Sequence, residues 1–227
     1  MGEYYKWVNV DRKEYLSPMD FDLGLKSHES IWRGNALLCA LRELLSREWS
    51  GDHIFFLVDY IDIPADTENE TLRILYRQSP ASDAFTFLER AEDFVFDNYR
   101  NVSALFRAAE AEARPEIDFY LEDVGSGCPE AHNEYGVNTE HPFEGLFLRE
   151  GKDFRFTVDH TKRVCYSFEE TRILQSDGSE NTNADPLPML MGFGQTWGTG
   201  VWVGDVVGVS EELPEGYEVL KEIRLDW

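Results

Sequence analysis

The side chains best suited to acid–base work flank one apolar run. His53 opens the segment His53–Asp59, and Asp59, Tyr60 and Asp62 close it, while Asn9 and Asp11 occupy a turn between two short β-type runs. Carboxylates at strand ends can perform general acid–base catalysis when a pocket holds them within hydrogen-bond reach of a substrate. The same residues build turns by bonding their own backbone, and that role is the expected one here. Asp11, His53 and Asp59 stand as the catalytic candidates on this reading.

A second set of ligand-type atoms lies in the loop Cys128-x3-His132-x8-His141, with Cys165 or His160 as a possible fourth. Zinc takes such donors, but structural zinc sites use tightly paired spacings that this loop lacks, so ordinary loop residues and no metal are expected. Asp177, Ser179, Asn181, Asn183 and Asp185 alternate oxygen side chains as a calcium loop would. Glycine at the sixth position and glutamate at the twelfth are missing, so a solvated, mobile loop is expected there. No G-x-S-x-G elbow and no H-E-x-x-H occurs, and the glycines between Met191 and Gly204 lack the Lys-Ser/Thr ending of a phosphate loop. No cofactor is expected, and whether the chain is an enzyme stays open.

These side chains must be held by elements that the hydrophobic pattern outlines. Tyr4–Val10 is aromatic and β-branched and leads through Asp11-Arg12-Lys13 to Glu14-Tyr15-Leu16, which predicts a hairpin. Leu37, Leu41, Leu44 and Leu45 share one helical face after the N-cap residue Asn35, with Arg42, Glu43 and Arg47 off it. A buried strand follows over His53–Asp59. The stretch Ala84–Ala113 reads as a helical insertion that Pro115 ends, with Ile117–Val124 a short strand beyond it. Strands are expected again at Leu146–Arg149, Asp153–Val158, Val164–Phe168 and Val201–Val209, and a last one over Gly216–Leu225 (GYEVLKEIRL).

One pattern occurs twice. Trp7–Leu16, an apolar helix and then Trp49-Ser50-Gly51-Asp52 open the chain; Thr157–Tyr166, an apolar segment from Pro186 and then Trp202-Val203-Gly204-Asp205 close it. In such a turn glycine takes a conformation other residues avoid, aspartate closes it, and tryptophan covers the core. Trp49, Asp52, Tyr60, Trp202 and Asp205 are therefore binding candidates for which a structural role is favoured. The predicted fold is α+β: a mixed or mainly antiparallel sheet from two pseudo-repeated hairpin–helix/loop–strand halves. These span about 1–80 and 146–227 and pack as one compact unit, with the helical insertion near 84–113.

The string G-E-Y-Y-K-W-V-N-V-D-R-K-E-Y-L, with the later W-S-G-D-H-I-F-F-L-V-D-Y, resembles a family of uncharacterised bacterial and fungal proteins. Its members open with glycine, a Tyr-Tyr or Tyr-Trp pair, lysine and an Asn-x-Asp-Lys/Arg turn, and later carry Trp-Ala-Gly-Asp/His-Arg-Ile ending in Gly-Asp-Tyr. Here Ser50, His53 and Val58 replace the alanine, arginine and glycine of that pattern. The resemblance covers about the first sixty residues and implies kinship without an activity, cofactor or catalytic residue.

Charge narrows the function classes. Forty-four acidic against 21 basic residues leave a formal charge of −23. Such a surface repels the phosphate backbone, so neither nucleic acid nor an anionic membrane is an expected partner; a basic protein is. Three cysteines at unrelated spacings suit a reducing compartment. The opening residues carry charge from Glu3 onward and lack both an apolar signal core and a myristoylation serine or threonine. The longest apolar run, Ile54–Val58, is too short to cross a bilayer. A cytoplasmic, non-catalytic protein-interaction or inhibitor/immunity-type protein is expected, with a hydrolase using the acidic strand-end site as the alternative.

Overall fold

The computed structural model describes residues 4–59, 67–78, 95, 98–127, 132–194 and 198–225. The first hairpin pairs β1 (Tyr5–Asn9) with β2 (Glu14–Leu16), Asn9 facing Glu14. Helix α1 (Ala36–Leu45) follows, started by Asn35, whose side-chain oxygen accepts from the Leu38 backbone N–H at 2.9 Å. Strand β3 (Ile54–Val58) then returns antiparallel to β1, Ile54 facing Asn9. Its apolar residues are buried throughout, as expected of an interior strand.

After α2 (Glu70–Gln78), strand β4 (Arg100–Asn101) adds parallel to β2. The long helix α3 (Glu110–Gly125) comes next. The later hairpin joins β5 (Phe156–Asp159) to β6 (Val164–Tyr166) and is followed by β7 (Arg172–Gln175) and α4 (Leu187–Met191). Strands β8 (Gly192–Gly194) and β9 (Gly198–Thr199) join the first hairpin's sheet through β8 beside β3. Strand β10 (Val207–Ser210) pairs antiparallel with β5, β11 (Glu218–Val219) parallel with β6, and β12 (Glu222–Leu225) parallel with β7. The sheets run β4-β2-β1-β3-β8-β9, β10-β5-β6-β11 and β12-β7, so the fold is α+β with mixed sheets.

Pairings in the two hairpin regions run in parallel. Asn9 faces Glu14 and Ile54, and Asp159 faces Val164 and Val207. Trp49 and Trp202 each stand five residues before those strand partners, and each donates its backbone N–H to a carbonyl at the preceding helix's end, Leu44 or Leu190. Gly51 and Gly204 hold φ of 84° and 93°, and the Asp52 and Asp205 backbone N–H groups close the turn onto Trp49 and Trp202.

Several sequence expectations are corrected. Ile117–Val124 is helix, not strand, and Pro115 lies inside α3. Proline there forfeits one hydrogen bond to Ala111 near the helix start, while Ala113 and Ile117 bury against Ala104, Tyr135, Val137 and Phe147. The expected helical insertion falls partly outside the described residues (84–94 and 96–97). From Arg100 to Ala109 the chain is a short strand and two 3-10 turns instead of a helix. Leu146–Arg149 forms turns, with only an isolated bridge from Arg149 to Phe106. Of Val201–Val209 only the end is strand, since Gly204 needs a positive φ that a strand excludes. GYEVLKEIRL splits into β11 and β12, which pair with different strands.

The principal core draws on both hairpin regions: Trp7, Trp49, Phe55 and Phe56 join Tyr166, Leu187, Trp202 and Val207. Arg42 crosses it. Read as an outward residue of α1, it is fully buried and ion-paired to Asp185, itself fully buried instead of part of a solvated loop. Helix α1 is covered on both faces, so its polar side meets protein where water was expected.

Candidate functional site

Helix α3 sets Pro115, Glu116, Phe119, Tyr120 and Asp123 along one side, because residues three and four apart share a helical face. Opposite lies the loop His132–Val137. Asn133 clamps it, accepting the Val137 N–H at 2.7 Å and donating to the Val137 carbonyl at 2.8 Å. The Asn101 N–H donates to the Glu134 carbonyl at 2.7 Å and ties the loop to β4. Between helix and loop opens a cavity of about 560 Å³ lined by Glu116, Phe119, Tyr120, Asp123, His132 and Glu134, among others. That size suits a side chain or small organic group.

Carboxyl groups gather in and behind its lining: Glu116 and Glu134 line it, and Asp20 joins them through the Tyr135 hydroxyl. Asp20, in the 3-10 turn Pro18–Phe21, accepts from Asn101 Nδ2 at 2.9 Å. The Tyr135 hydroxyl lies 2.9 Å from both Asp20 Oδ1 and Glu116 Oε2. Tyr15 donates its hydroxyl to Glu134 Oε2 at 2.5 Å. Burial pushes the Glu134 carboxyl up to about 7, Asp20 and Glu116 adding to the shift while the Tyr15 hydrogen bond opposes it. Burial also raises Asp20, against hydrogen bonds from Asn101, Ser103 and Tyr135. Among the described residues no Lys or Arg forms an ion pair with Asp20, Glu116 or Glu134. Both phenols are held well above the ordinary tyrosine range by burial and these charges, so they stay hydrogen-bond donors.

The sequence-predicted residues lie elsewhere. Asp11 and His53 do meet: Asp11 Oδ2 accepts the His53 N–H at 2.6 Å and lies 2.9 Å from Nδ1. Beside them Asp52 accepts from Asn9 Nδ2 at 3.0 Å and pairs with Arg12 at 2.5 Å. Asn9 Oδ1 caps the Asp11 and Arg12 N–H groups, so this cluster closes the turn. Asp59 sits at the opposite end of β3, on the order of 20 Å away at strand rise. It is buried and accepts the Tyr4 N–H at 3.1 Å. The three catalytic candidates therefore do not converge. Tyr60 and Asp62 lie outside the described residues.

Trp49 is buried, its indole N–H on Glu14, and Trp202 is buried against Tyr166. Asp205 pairs with Lys162, whose ammonium lies 3.6 Å from the buried Asp159. Of the metal candidates, Cys128 lies outside the described residues, His132 edges the cavity and His141 is in an exposed turn. His160 pairs with the Tyr217 hydroxyl, and Cys165 is buried. No group of three His, Cys, Asp or Glu among the described residues is placed to hold a metal. In the Asp177–Asp185 loop, Asp177 and Asn181 accept the N–H groups of Ser179 and Asn183 and so form turns.

Sequence reasoning missed Asp20, Glu116, Glu134, Tyr15 and Tyr135. One signal was available: Glu116, Phe119, Tyr120 and Asp123 recur at helical steps, but assigning a strand there hid the shared face. No helix among the described residues is long and apolar enough to cross a membrane. No protein-family model matches the chain, and no curated protein or solved structure shows significant similarity to it.

Proposed function

We propose that the protein is a non-catalytic binding protein that docks a basic protein partner, with the cavity between α3 and the 132–137 loop receiving a cationic group. The observation that carries this reading is the cavity's chemistry. It combines carboxyl groups of Glu116, Asp123 and Glu134 with the exposed Phe119 ring and Tyr120. Carboxylates and aromatic faces together favour a cation on an apolar stem. The excess of acidic residues supports the same choice of partner and would accelerate its approach.

The test is affinity chromatography of cell extract on the immobilised chain at 50 and 500 mM salt, beside a Glu116→Gln/Asp123→Asn variant. A basic protein retained at low salt, released at high salt and lost with the variant is the expected result. Equal retention by both columns would contradict it. A hydrolase remains the second reading, supported by the Glu134 carboxyl held near neutral pH beside Glu116, a pairing that suits general acid–base work.

The parallel pairings around Trp49 and Trp202 support a further reading, that the two hairpin regions are copies of one module. On it, Asp52 and Asp205 are turn-closing residues in both copies, which leaves the cavity outside the repeated part.

A further inference from the structure

We propose that the cavity's occupant is a single arginine side chain of the partner, and that its guanidinium displaces a proton that the empty site holds on Glu134. The inference rests on the basic-partner reading and adds the ligand's chemistry and its linkage to protons.

The hydrogen inventory of the cavity wall points to it. Tyr15 has one hydroxyl hydrogen and gives it to Glu134; Tyr135 has one, within reach of both Asp20 and Glu116. Among the described residues, full ionisation would leave three carboxylates sharing two phenolic hydrogens, with the Asn101 amide and the Ser103 hydroxyl in addition on Asp20. A proton on Glu134 relieves that repulsion in the empty site. A guanidinium replaces it well. Its five donors lie in one plane and can serve two carboxylates at once, while its face stacks on an aromatic ring. Phe119, 65% exposed although it lines the cavity, offers such a ring at the entrance. An ammonium supplies the charge without the planar fork, so lysine is the poorer fit. About 560 Å³ exceeds what a guanidinium alone needs and admits its aliphatic stem.

The groups that set the site's charge come from the lining and from the elements behind it. They are Tyr15 of β2, Asp20 of the 3-10 turn, Glu116 and Asp123 of α3, and His132, Glu134 and Tyr135 of the loop. Arg100 of β4, the strand whose Asn101 N–H holds the Glu134 carbonyl, directs its charge to Glu14. When arginine enters, the bond from the Glu134 carboxyl oxygen to its proton breaks and the proton passes to the buffer. Nothing is oxidised or reduced.

Calorimetric titration of the full chain with the capped tripeptide Gly-Arg-Gly tests this, run in phosphate and in imidazole buffer at equal pH and ionic strength. With Glu134 near 7, the apparent enthalpy should differ between buffers by about half of the difference in their ionisation enthalpies at pH 7 and by nearly all of it at pH 6. Gly-citrulline-Gly, neutral but of the same shape, should bind at least tenfold more weakly. Glu134→Gln should abolish the buffer dependence. Phe119→Ser, a surface change, should weaken binding and keep the proton release, which separates a lost site from a lost fold. Binding with a buffer-independent enthalpy would overturn the proton displacement and leave the basic-partner reading standing. Equal binding of the citrulline peptide, or no binding of the arginine peptide at millimolar concentration, would overturn the arginine assignment.

Discussion

Replacing Arg42 by methionine should be among the most damaging single changes in this chain. The guanidinium is fully buried where α1 meets the second hairpin. Its Nη2 bonds Asp185 and lies 3.4 Å from both the Thr157 and Tyr166 hydroxyls. Nη1 sits 3.2 Å from Asp153, though not in hydrogen-bond geometry. Methionine fills much of the volume but strands the Asp185 carboxylate away from water. Removing one partner of a buried pair costs about 3–5 kcal/mol. Asp185 would keep the Tyr166 hydroxyl at 2.7 Å and the Leu187 N–H at 3.0 Å, so the lower end, about 3 kcal/mol, is expected. For a chain of this size that is a fall in Tm of roughly 6–12 °C. Urea and thermal unfolding followed by circular dichroism give both numbers. Arg42→Met/Asp185→Leu should recover part of the loss, since an apolar pair leaves no stranded charge. A single variant within about 1 kcal/mol of the parent, or a double variant as unstable as the sum of the singles, would refute this reasoning.

Two further outcomes follow from local geometry. Gly51→Ala and Gly204→Ala each force a Cβ into a positive-φ conformation and should cost about 1–2 kcal/mol in urea midpoint analysis. Gly204→Ala should cost more, because its Cβ would meet Asn69 Nδ2 at 2.5 Å where Gly51 faces open space; equal costs would argue against the Asn69 contact. The folded chain holds the Glu134 proton up to about pH 7, against 4.5 for an ordinary glutamate. Its stability contribution is therefore full at low pH and is lost as pH rises across that window. Glu134→Gln, which cannot ionise, should gain on the parent between pH 4.5 and 7.5 by about 1–3 kcal/mol, allowing for partial exposure. A pH-independent difference would place Glu134 in solvent.

Features set by near neighbours in sequence were legible. Asn9 and Asp11 read as turn formers and do close the first hairpin, and Asn35 read as a cap and accepts the Leu38 N–H. The apolar run at Ile54–Val58 read as an interior strand for the same local reason. Elements decided by distant partners were not legible. Proline at 115 suggested a stop, yet one lost hydrogen bond in the early part of a helix is outweighed by burying Ala113 and Ile117. Arg42 looked solvent-facing because α1's apolar stripe gave no hint that Thr157, Tyr166 and Asp185 would cover its other side. The cavity's Glu116, Glu134 and Tyr135 and the hydrogen-bond network of Tyr15, Asp20 and Asn101 behind them are residues that only the tertiary fold brings together. Of the catalytic candidates, Asp11 and His53 meet, while β3 holds Asp59 at its far end from them.

The most direct measurement is an amide chemical-shift map of the full chain titrated with a short arginine-containing peptide at low and moderate salt. Shifts confined to residues 115–123 and 132–137, saturating together and absent in Glu116→Gln/Glu134→Gln, are the expected result. Small shifts scattered over the acidic surface, or a cluster around Asp11 and His53 with the cavity silent, would contradict the proposed docking site.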